Sequence, residues 1–416
     1  MERIVIAGAG YGGLNTALQL ESRLSSSTRD DWEILLVDRN SYHQHIILIH
    51  EVAANSRAPE EVMVPFANIL NGKRISFIKG EVSGVDLQAH EITVGSRRIE
   101  YDRLVIALGS ESSFFGIPGA NENTLTLKSV DDARRINAHI KRMFALARWA
   151  TPEDRVPLLN FVVCGGGYSG VELTGELADW LPELAADYDV PYSKVRLIIV
   201  EAAPTILFGY PAGLPRQASE MLLKKGVELR LGSPVARIEP NMVYVKSGDM
   251  IPSRTIIWTG GVEASPMLAQ WGLQTGAKGR AVVNGYLESV NNPGVYLVGD
   301  NCLVTNPSTG RPLAPSAQIA LQEASIVADN IAAGLLDEPR RVFRPGSTAE
   351  LFSVGRSRAF ALIGRVAFDG YPARLLKEAS ALRYYLSIGG PGMVIGKTPE
   401  SVRAAAGISA AVLQGR

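Results

Sequence analysis

The chain carries the same glycine-rich turn twice. Gly8, Gly10 and Gly13 follow the apolar run IVIA, and Gly165, Gly167 and Gly170 follow FVVC. An acid closes the next apolar run in each case: Asp38 after ILLV and Glu201 after LIIV. In a strand–turn–helix of this kind the first glycine permits the tight turn. The second removes a Cβ that would block a pyrophosphate, and the third lets the helix pack against the strand. The helix N-terminus then offers free N–H groups to the phosphates, and the acid accepts hydrogen bonds from ribose hydroxyls. A single such motif is weak, because a glycine turn also serves structure alone. Two framed copies predict an α/β chain with two Rossmann-like dinucleotide-binding domains. They also suggest electron transfer between two dinucleotides, one a flavin and one a nicotinamide.

The 416 residues leave room for two or three domains. Basic and acidic residues balance at 42 each, so no global charge points to nucleic acid. The balance is local, however: residues 341–416 hold 11 basic and 4 acidic side chains. Such a block suits anionic lipid or is a solvated basic surface. The two cysteines, Cys164 and Cys302, form no CxxC, which argues against a dithiol relay and fits a reducing cytosol. Cys164, at the end of a strand, reads as a buried structural thiol. The first strand begins close to Met1, so no signal peptide is expected. No apolar run approaches the ~20 residues of a spanning helix, and membrane contact is expected to be peripheral.

The order of elements predicts a first flavin-domain segment over 1–114, a nicotinamide domain over 115–284 and a second flavin-domain segment over 285–340. A C-terminal region over 341–416 would make membrane-surface or dimer contact. EVSGVD and HEITVGSRRIEYD read as antiparallel strands with turns at Gly84 and Gly95. A helix capped near Ser129 is predicted over DDARRINAHIKRMFALARWA, and another over about 316–333.

Several segments together resemble the two-dinucleotide-binding flavoprotein superfamily and, within it, the type II NADH dehydrogenases (NADH:quinone oxidoreductases). They are VDRNSYH (37–43), YDRLVIALGS (101–110), FGIPGANENTLTLKSVDDA (115–133), GGGYSGVELTGEL (165–177), WTGGV (258–262), VYLVGD (295–300) and APSAQIALQEA (314–324). The match spans about residues 3–370. The resemblance implies FAD at Gly8, Gly10, Gly13, Asp38, Arg39, Gly109, Asp300 and Ala317. It implies NADH at Gly165, Gly167, Gly170, Glu201 and Gly260. Glu172 is implied near the nicotinamide and flavin, Gln318 and Gln322 at a quinone site, and no metal. It places the protein on the cytoplasmic face of a membrane or in the cytoplasm. Pairing with a second copy is left open, homodimers being common among relatives.

The residues themselves support parts of this. Gln318 and Gln322 are spaced i, i+4 and share a helix face. An amide can donate to a quinone carbonyl without adding charge. The N-terminus of that helix would stabilise negative charge on a flavin ring. Glu172 falls in the expected first helical turn, where an acid is also favoured by the dipole alone. Glu201 is followed by Ala202 and Ala203 without an arginine, which favours NADH over NADPH. One segment departs from the family pattern. After Tyr-His the family continues Phe-x-Pro-Leu-Leu-Tyr, whereas here Gln44-His45-Ile46-Ile47-Leu48-Ile49-His50 follows. Residues 373–388 predict a helix clustering Leu375, Leu376, Ala379, Leu382, Tyr385 and Leu386, with Arg374, Lys377 and Arg383 elsewhere, an in-plane membrane helix. Thr398 and Pro399 signal a further helix start.

The expected activity is FAD-dependent, non-proton-pumping NADH:quinone oxidoreduction. Alternatives are a soluble NAD(P)H-dependent flavoprotein reductase or oxidase, a sulfide:quinone reductase relative lacking the redox cysteines, and a non-catalytic FAD/NADH redox sensor.

Overall fold

A computed structural model describes residues 1–211, 213–306, 310–364 and 366–397. The first glycine turn joins β1 (Glu2–Ala7) to α1 (Tyr11–Ser25), followed by β2 (Trp32–Asp38), β3 (Ile75–Lys79) and β4 (Arg103–Ile106). β1 lies parallel between β2 and β4, with Ile4 opposite Ile34 and Arg103. Its Ile4, Val5 and Ile6 are fully buried. Leu14 and Leu20 of α1 and Val85, Ile92 and Val94 of an antiparallel sheet share its core, so the strand has no solvent side, hence its unbroken apolar run.

The chain then crosses to β5 (Leu125–Thr126), α2 (Val130–Ala147), β6 (Asn160–Cys164), α3 (Tyr168–Asp187), β7 (Arg196–Val200), β8 (Glu228–Arg230) and β9 (Thr255–Trp258). Ser129 caps α2, its side chain accepting from Asp132 N as expected. The strand order is β5-β9-β6-β7-β8. The chain returns at β10 (Val295–Leu297), which pairs with β4. The first sheet is therefore β10-β4-β1-β2-β3, matching the second in four strands but with its edge strand supplied by the return of the chain rather than by the outward crossing. Each unit also inserts a three-stranded antiparallel sheet just before the strand that pairs with its glycine-turn strand, β4 in the first and β9 in the second. The outward and return crossings pair as a short ribbon, Glu111 opposite Glu263.

Gly84 is not a turn. It lies within a strand at a register shift opposite Thr93, where a bulge tolerates glycine. The turn falls instead at residues 87–90, with His90 at φ +56°.

After β10 comes α4 (Ala317–Leu336), capped by Ser316, whose Oγ accepts from Ile319 N. By length and composition α4 passes for a membrane span, but 61% of the tested window is buried inside the protein. It packs on α1 and carries buried Glu323 and Asn330, so it is a core helix. A three-stranded antiparallel sheet follows, β11 (Ala349–Ser353), β12 (Ala359–Ile363) and β13 (Val366–Gly370), then α5 (Tyr371–Lys397), interrupted at Gly390 (φ +71°) before Pro391. The expected helix start at Thr398 lies outside the described residues.

Candidate active site

The two glycine turns have the same geometry. Gly8 and Gly165 adopt φ of +99° and +118°, which only glycine holds without strain. A Cβ on Gly13 would lie 1.8 Å from Gly8 O, and one on Gly170 would lie 1.9 Å from Gly165 O. A Cβ on Gly10 or Gly167 would meet nothing within 4 Å, because these positions face open space in the turn. The acids close both turns alike. Asp38 accepts from Ala9 N at 2.8 Å, and Glu201 accepts from Gly166 N at 2.5 Å and Ala203 N at 2.7 Å. These are cradles that a Cβ would fill, and they fit a dinucleotide pyrophosphate.

A cavity of about 260 Å³ lies against the first turn, lined in part by Gly8, Gly10, Asp38, Arg39 and Gly109. One of about 370 Å³ lies against the second, with Gly165, Glu201, Ala202 and Gly260. Lys246 also lines this second cavity, a cation 45 positions beyond Glu201 and so absent from the local sequence around that acid. Asp300 does not line either cavity. It accepts from Ser110 Oγ at 2.6 Å, and Lys128 donates to that hydroxyl at 2.9 Å. Cys164 and Cys302 are both buried, and burial pushes the Cys164 thiol up to about 12.

A third cavity, of about 360 Å³, opens between the two units and α5. The N-terminus of α4 enters it through Ser316, Ala317 and Gln318, while Glu172, His50, Lys377 and Tyr384 line it from other elements. Its apolar flank includes Ile46, Ile47, Leu321 and Leu351. Glu172 is the fifth residue of α3, past the first turn, so the helix dipole does not explain it. Its Oε1 accepts from Lys377 Nζ at 2.5 Å and from Ser353 N at 3.0 Å, all within buried surroundings. Lys377 is therefore not on an outer polar face as its sequence position suggested. It points inward, because the face of α5 bearing Ala373, Lys377, Ala381, Tyr384 and Ile388 is the buried one. Tyr385 is buried with it and donates to Glu61 O, leaving Leu375, Ala379 and Leu386 exposed.

Burial pushes Glu172 up, but His50, Lys377 and the Ser353 amide together hold it below the usual carboxylate range. Burial drives His50 itself down to about 4, so at neutral pH the lysine carries the compensating charge.

Gln318 lines the cavity while its amide brackets β11, its Oε1 accepting from Ala349 N at 2.9 Å and its Nε2 donating to Ala349 O. Gln322 does not line the cavity; its Oε1 accepts from Gly346 N at 2.7 Å. Both glutamines tie α4 to the segment before and into β11.

The unusual loop forms a buried imidazole–phenol layer. His43 Nδ1 donates to Ala9 O at 3.1 Å, and burial lowers its pKa to about 4. The bare Nε2 thus accepts from the Tyr384 hydroxyl at 2.8 Å. Tyr11 Oη lies 3.2 Å from His45 Nδ1. Tyr384 and Lys377 were missed as site residues; their i, i+7 spacing on one helix face was the available signal.

Beneath the first unit, Glu323 accepts from Gly299 N at 2.6 Å. Burial pushes it up to about 8 even though that N–H and Arg280 oppose the rise. A raised carboxyl makes the native state bind the extra proton, so stability falls as pH climbs from the unfolded value through 8. Glu323→Gln keeps the acceptor without the charge. It should match the wild type in urea unfolding at pH 4 and exceed it at pH 8.5, by at most ~5 kcal/mol. An unchanged difference across that range would contradict the buried proton.

The fold and paired cradles define a class. The family described as pyridine nucleotide-disulphide oxidoreductase matches residues 2–324. Among curated proteins, the type II NADH:quinone oxidoreductase of Staphylococcus aureus is 30% identical over 399 residues, 95% of this chain and 98% of its own. That of Staphylococcus saprophyticus is 29% identical over the same coverage. The chain belongs to the type II NADH:quinone oxidoreductase family. NDH2 of Plasmodium falciparum, solved in complex with NADH, superposes with a TM-score of 0.85 at 16% identity, covering 97% of this chain and 98% of that one. The sulfide:quinone oxidoreductase of Aquifex aeolicus gives 0.76 at 20%, covering 99% and 96%. These structural likenesses speak to the fold.

Proposed function

We propose that the protein is an FAD-dependent, non-proton-pumping NADH:quinone oxidoreductase working at a membrane surface. The observation that carries this is the third cavity, where an α4 N-terminus, an amide and a buried Glu172–Lys377 pair meet an apolar flank. The Gly8 turn and Asp38 hold FAD, with Arg39 and Gly109 lining the adjacent cavity. The Gly165 turn and Glu201 hold NADH. The chemistry supplied by bound FAD is acceptance of a hydride from NADH and release of two electrons to quinone. Gly260 and Trp258 close the NADH side, and Ala317 brings the α4 N–H groups to the flavin ring.

Gln318 has one amide proton beyond its bond to Ala349 O, and that proton is available to a quinone carbonyl. Lys377 stands ready to donate to a quinone oxygen, with Glu172 fixing its charge and position. Ile46, Ile47 and Leu351 exclude water and receive an isoprenoid tail.

The test is anaerobic stopped-flow of the yellow protein. NADH should reduce the flavin faster than NADPH, although Lys246 narrows the gap, and a quinone should reoxidise it. Failure to bind FAD, or reoxidation by oxygen alone, overturns the reading. Gln318→Ala should slow reoxidation about tenfold or more while sparing reduction by NADH; equal losses in the two half-reactions would remove Gln318 from the quinone site.

Membrane contact is assigned to α5. Leu375, Ala379, Leu382 and Leu386 recur at i, i+4, i+7 and i+11, with Leu375 51% and Leu386 49% exposed. Arg383 is exposed on the same helix. Leu375→Ser with Leu386→Ser should weaken sedimentation with anionic vesicles roughly tenfold or more, without altering turnover of a short-tailed quinone. Retained binding would move the contact elsewhere.

A further inference from the structure

A chain of buried ionisable groups leads away from the cavity and serves neither dinucleotide cradle. Glu176 lies one turn beyond Glu172 on α3 and is 0% exposed. Its Oε2 accepts from Ser56 Oγ at 2.6 Å, and Arg356 Nε stands 4.0 Å from the same oxygen. Burial pushes Glu176 up to about 7, and the Glu51 charge adds to the rise. Ser56, Arg374 and Lys377 offset it only in part.

Ser56 N donates to Glu51 O at 2.9 Å, and Ser56 Oγ lies 3.1 Å from the same carbonyl, within reach if its proton turns from Glu176. The Glu51 carboxylate is also buried. Burial raises it, but Arg57, Lys377, His50 and Arg374 outweigh that and hold it at about 2, a fixed anion. Its Oε1 lies 4.0 Å from His50 Nε2. That same nitrogen lies 3.4 Å from Lys377 Nζ and 3.8 Å from Glu172 Oε1. At the outer end, Arg356 reaches Glu183, whose side chain is 53% exposed.

The cluster also gathers buried polar atoms that make no hydrogen bond: Glu51 Oε1, Glu176 Oε1, Arg356 Nε and Arg374 Nη1. Buried atoms of this kind are ordinarily satisfied by internal water.

We propose that Glu176 and His50 form a proton relay that refills the Glu172–Lys377 pair from solvent during quinone reduction. The proposal rests on the quinone reading. The hydride brings two electrons and one proton, while a quinone becomes a quinol by taking two electrons and two protons. Each turnover therefore draws one proton from water. It enters beside Arg356 and Glu183 and loads Glu176. It then moves past the Glu51 anion, which stabilises passing positive charge, to His50 Nε2. From there it restores the proton that the Glu172–Lys377 pair gives to the quinone oxygen, and Glu176 is loaded again.

The experiment compares wild type, Glu176→Gln and His50→Gln in anaerobic half-reactions, from pH 5.5 to 8.5 and in D2O. The wild-type reoxidation rate should fall as pH rises past about 7, as Glu176 loses its proton. Glu176→Gln should be about tenfold slower at pH 6, lack that bend, and show a larger solvent isotope effect. His50→Gln should raise the isotope effect likewise, and both variants should be reduced by NADH at the wild-type rate. FAD-loaded variants that keep the wild-type pH profile and isotope effect overturn the relay, as does equal slowing of both half-reactions. If Glu176→Gln does not fold, His50→Gln decides alone. A wild type that no quinone reoxidises overturns the quinone reading and the relay with it, whereas active, unperturbed variants overturn the relay only.

Discussion

Gly13→Ala should emerge from purification without its yellow colour, while Gly170→Ala stays yellow and fails to be reduced at ordinary NADH concentrations. The two substitutions are chemically identical and sit in matching turns. The added methyl lands 1.8 Å from Gly8 O in one and 1.9 Å from Gly165 O in the other. Both neighbours are backbone, so no side chain can rotate away, and the helix must back off from its strand. Overpacking of this kind costs ~1–3 kcal/mol, but its first effect is to pull the α1 or α3 N–H groups out of register with the pyrophosphate. Flavin retention after desalting should drop by roughly a hundredfold in affinity for Gly13→Ala, since about 3 kcal/mol corresponds to that factor. Gly170→Ala should raise the NADH concentration for half-maximal flavin reduction by a similar factor. Reversed outcomes, with Gly170→Ala losing flavin, would exchange the roles of the two turns. Gly10→Ala is the useful control: its Cβ meets no protein atom, so any loss there reports a clash with bound pyrophosphate alone.

The glycine turns, their strands and the capping acids were legible because local sterics dictate them: a positive φ or a close approach admits only glycine. Gly84 misled because a glycine in a bulge and one in a turn look alike until the partner strand is known. β11 to β13 were not legible: AFALI and VAFDG lie either side of Gly364, which adopts φ +60°, but their alternation is too short to stand out from the basic residues around them. Lys377 was misassigned for a deeper reason. A lysine among leucines reads as the polar face of an amphipathic helix, and only the partner 205 positions away, Glu172, turns that face inward. Gln318 and Gln322 were placed on one helix face by spacing, but spacing did not reveal that only Gln318 reaches the cavity. Ionic partners distant in sequence leave no periodic trace.

That same distant pair gives the second large effect. Lys377→Met should lower stability by ~3–5 kcal/mol at neutral pH, the cost of leaving one member of a buried pair uncompensated. Methionine fills similar volume, so the loss reports charge rather than a void. The pH dependence has a definite sign. In the wild type Glu172 is held below its usual range, so the pair contributes stability above the unfolded carboxylate value and loses it as pH falls through the folded one. In Lys377→Met the lysine charge is gone and burial raises Glu172, which then takes up its proton at higher pH than in the wild type. The deficit relative to wild type should therefore be largest at pH 8 and shrink toward pH 5. Adding Glu172→Gln should recover much of it at pH 8, because no charge is then left buried. Activity should divide in the same variant: flavin reduction by NADH within a factor of a few of wild type, and reoxidation by quinone slower by roughly 10²–10³. A deficit independent of pH would mean that Lys377 acts through packing. Equal slowing of both half-reactions would mean that it holds the flavin rather than serving the quinone.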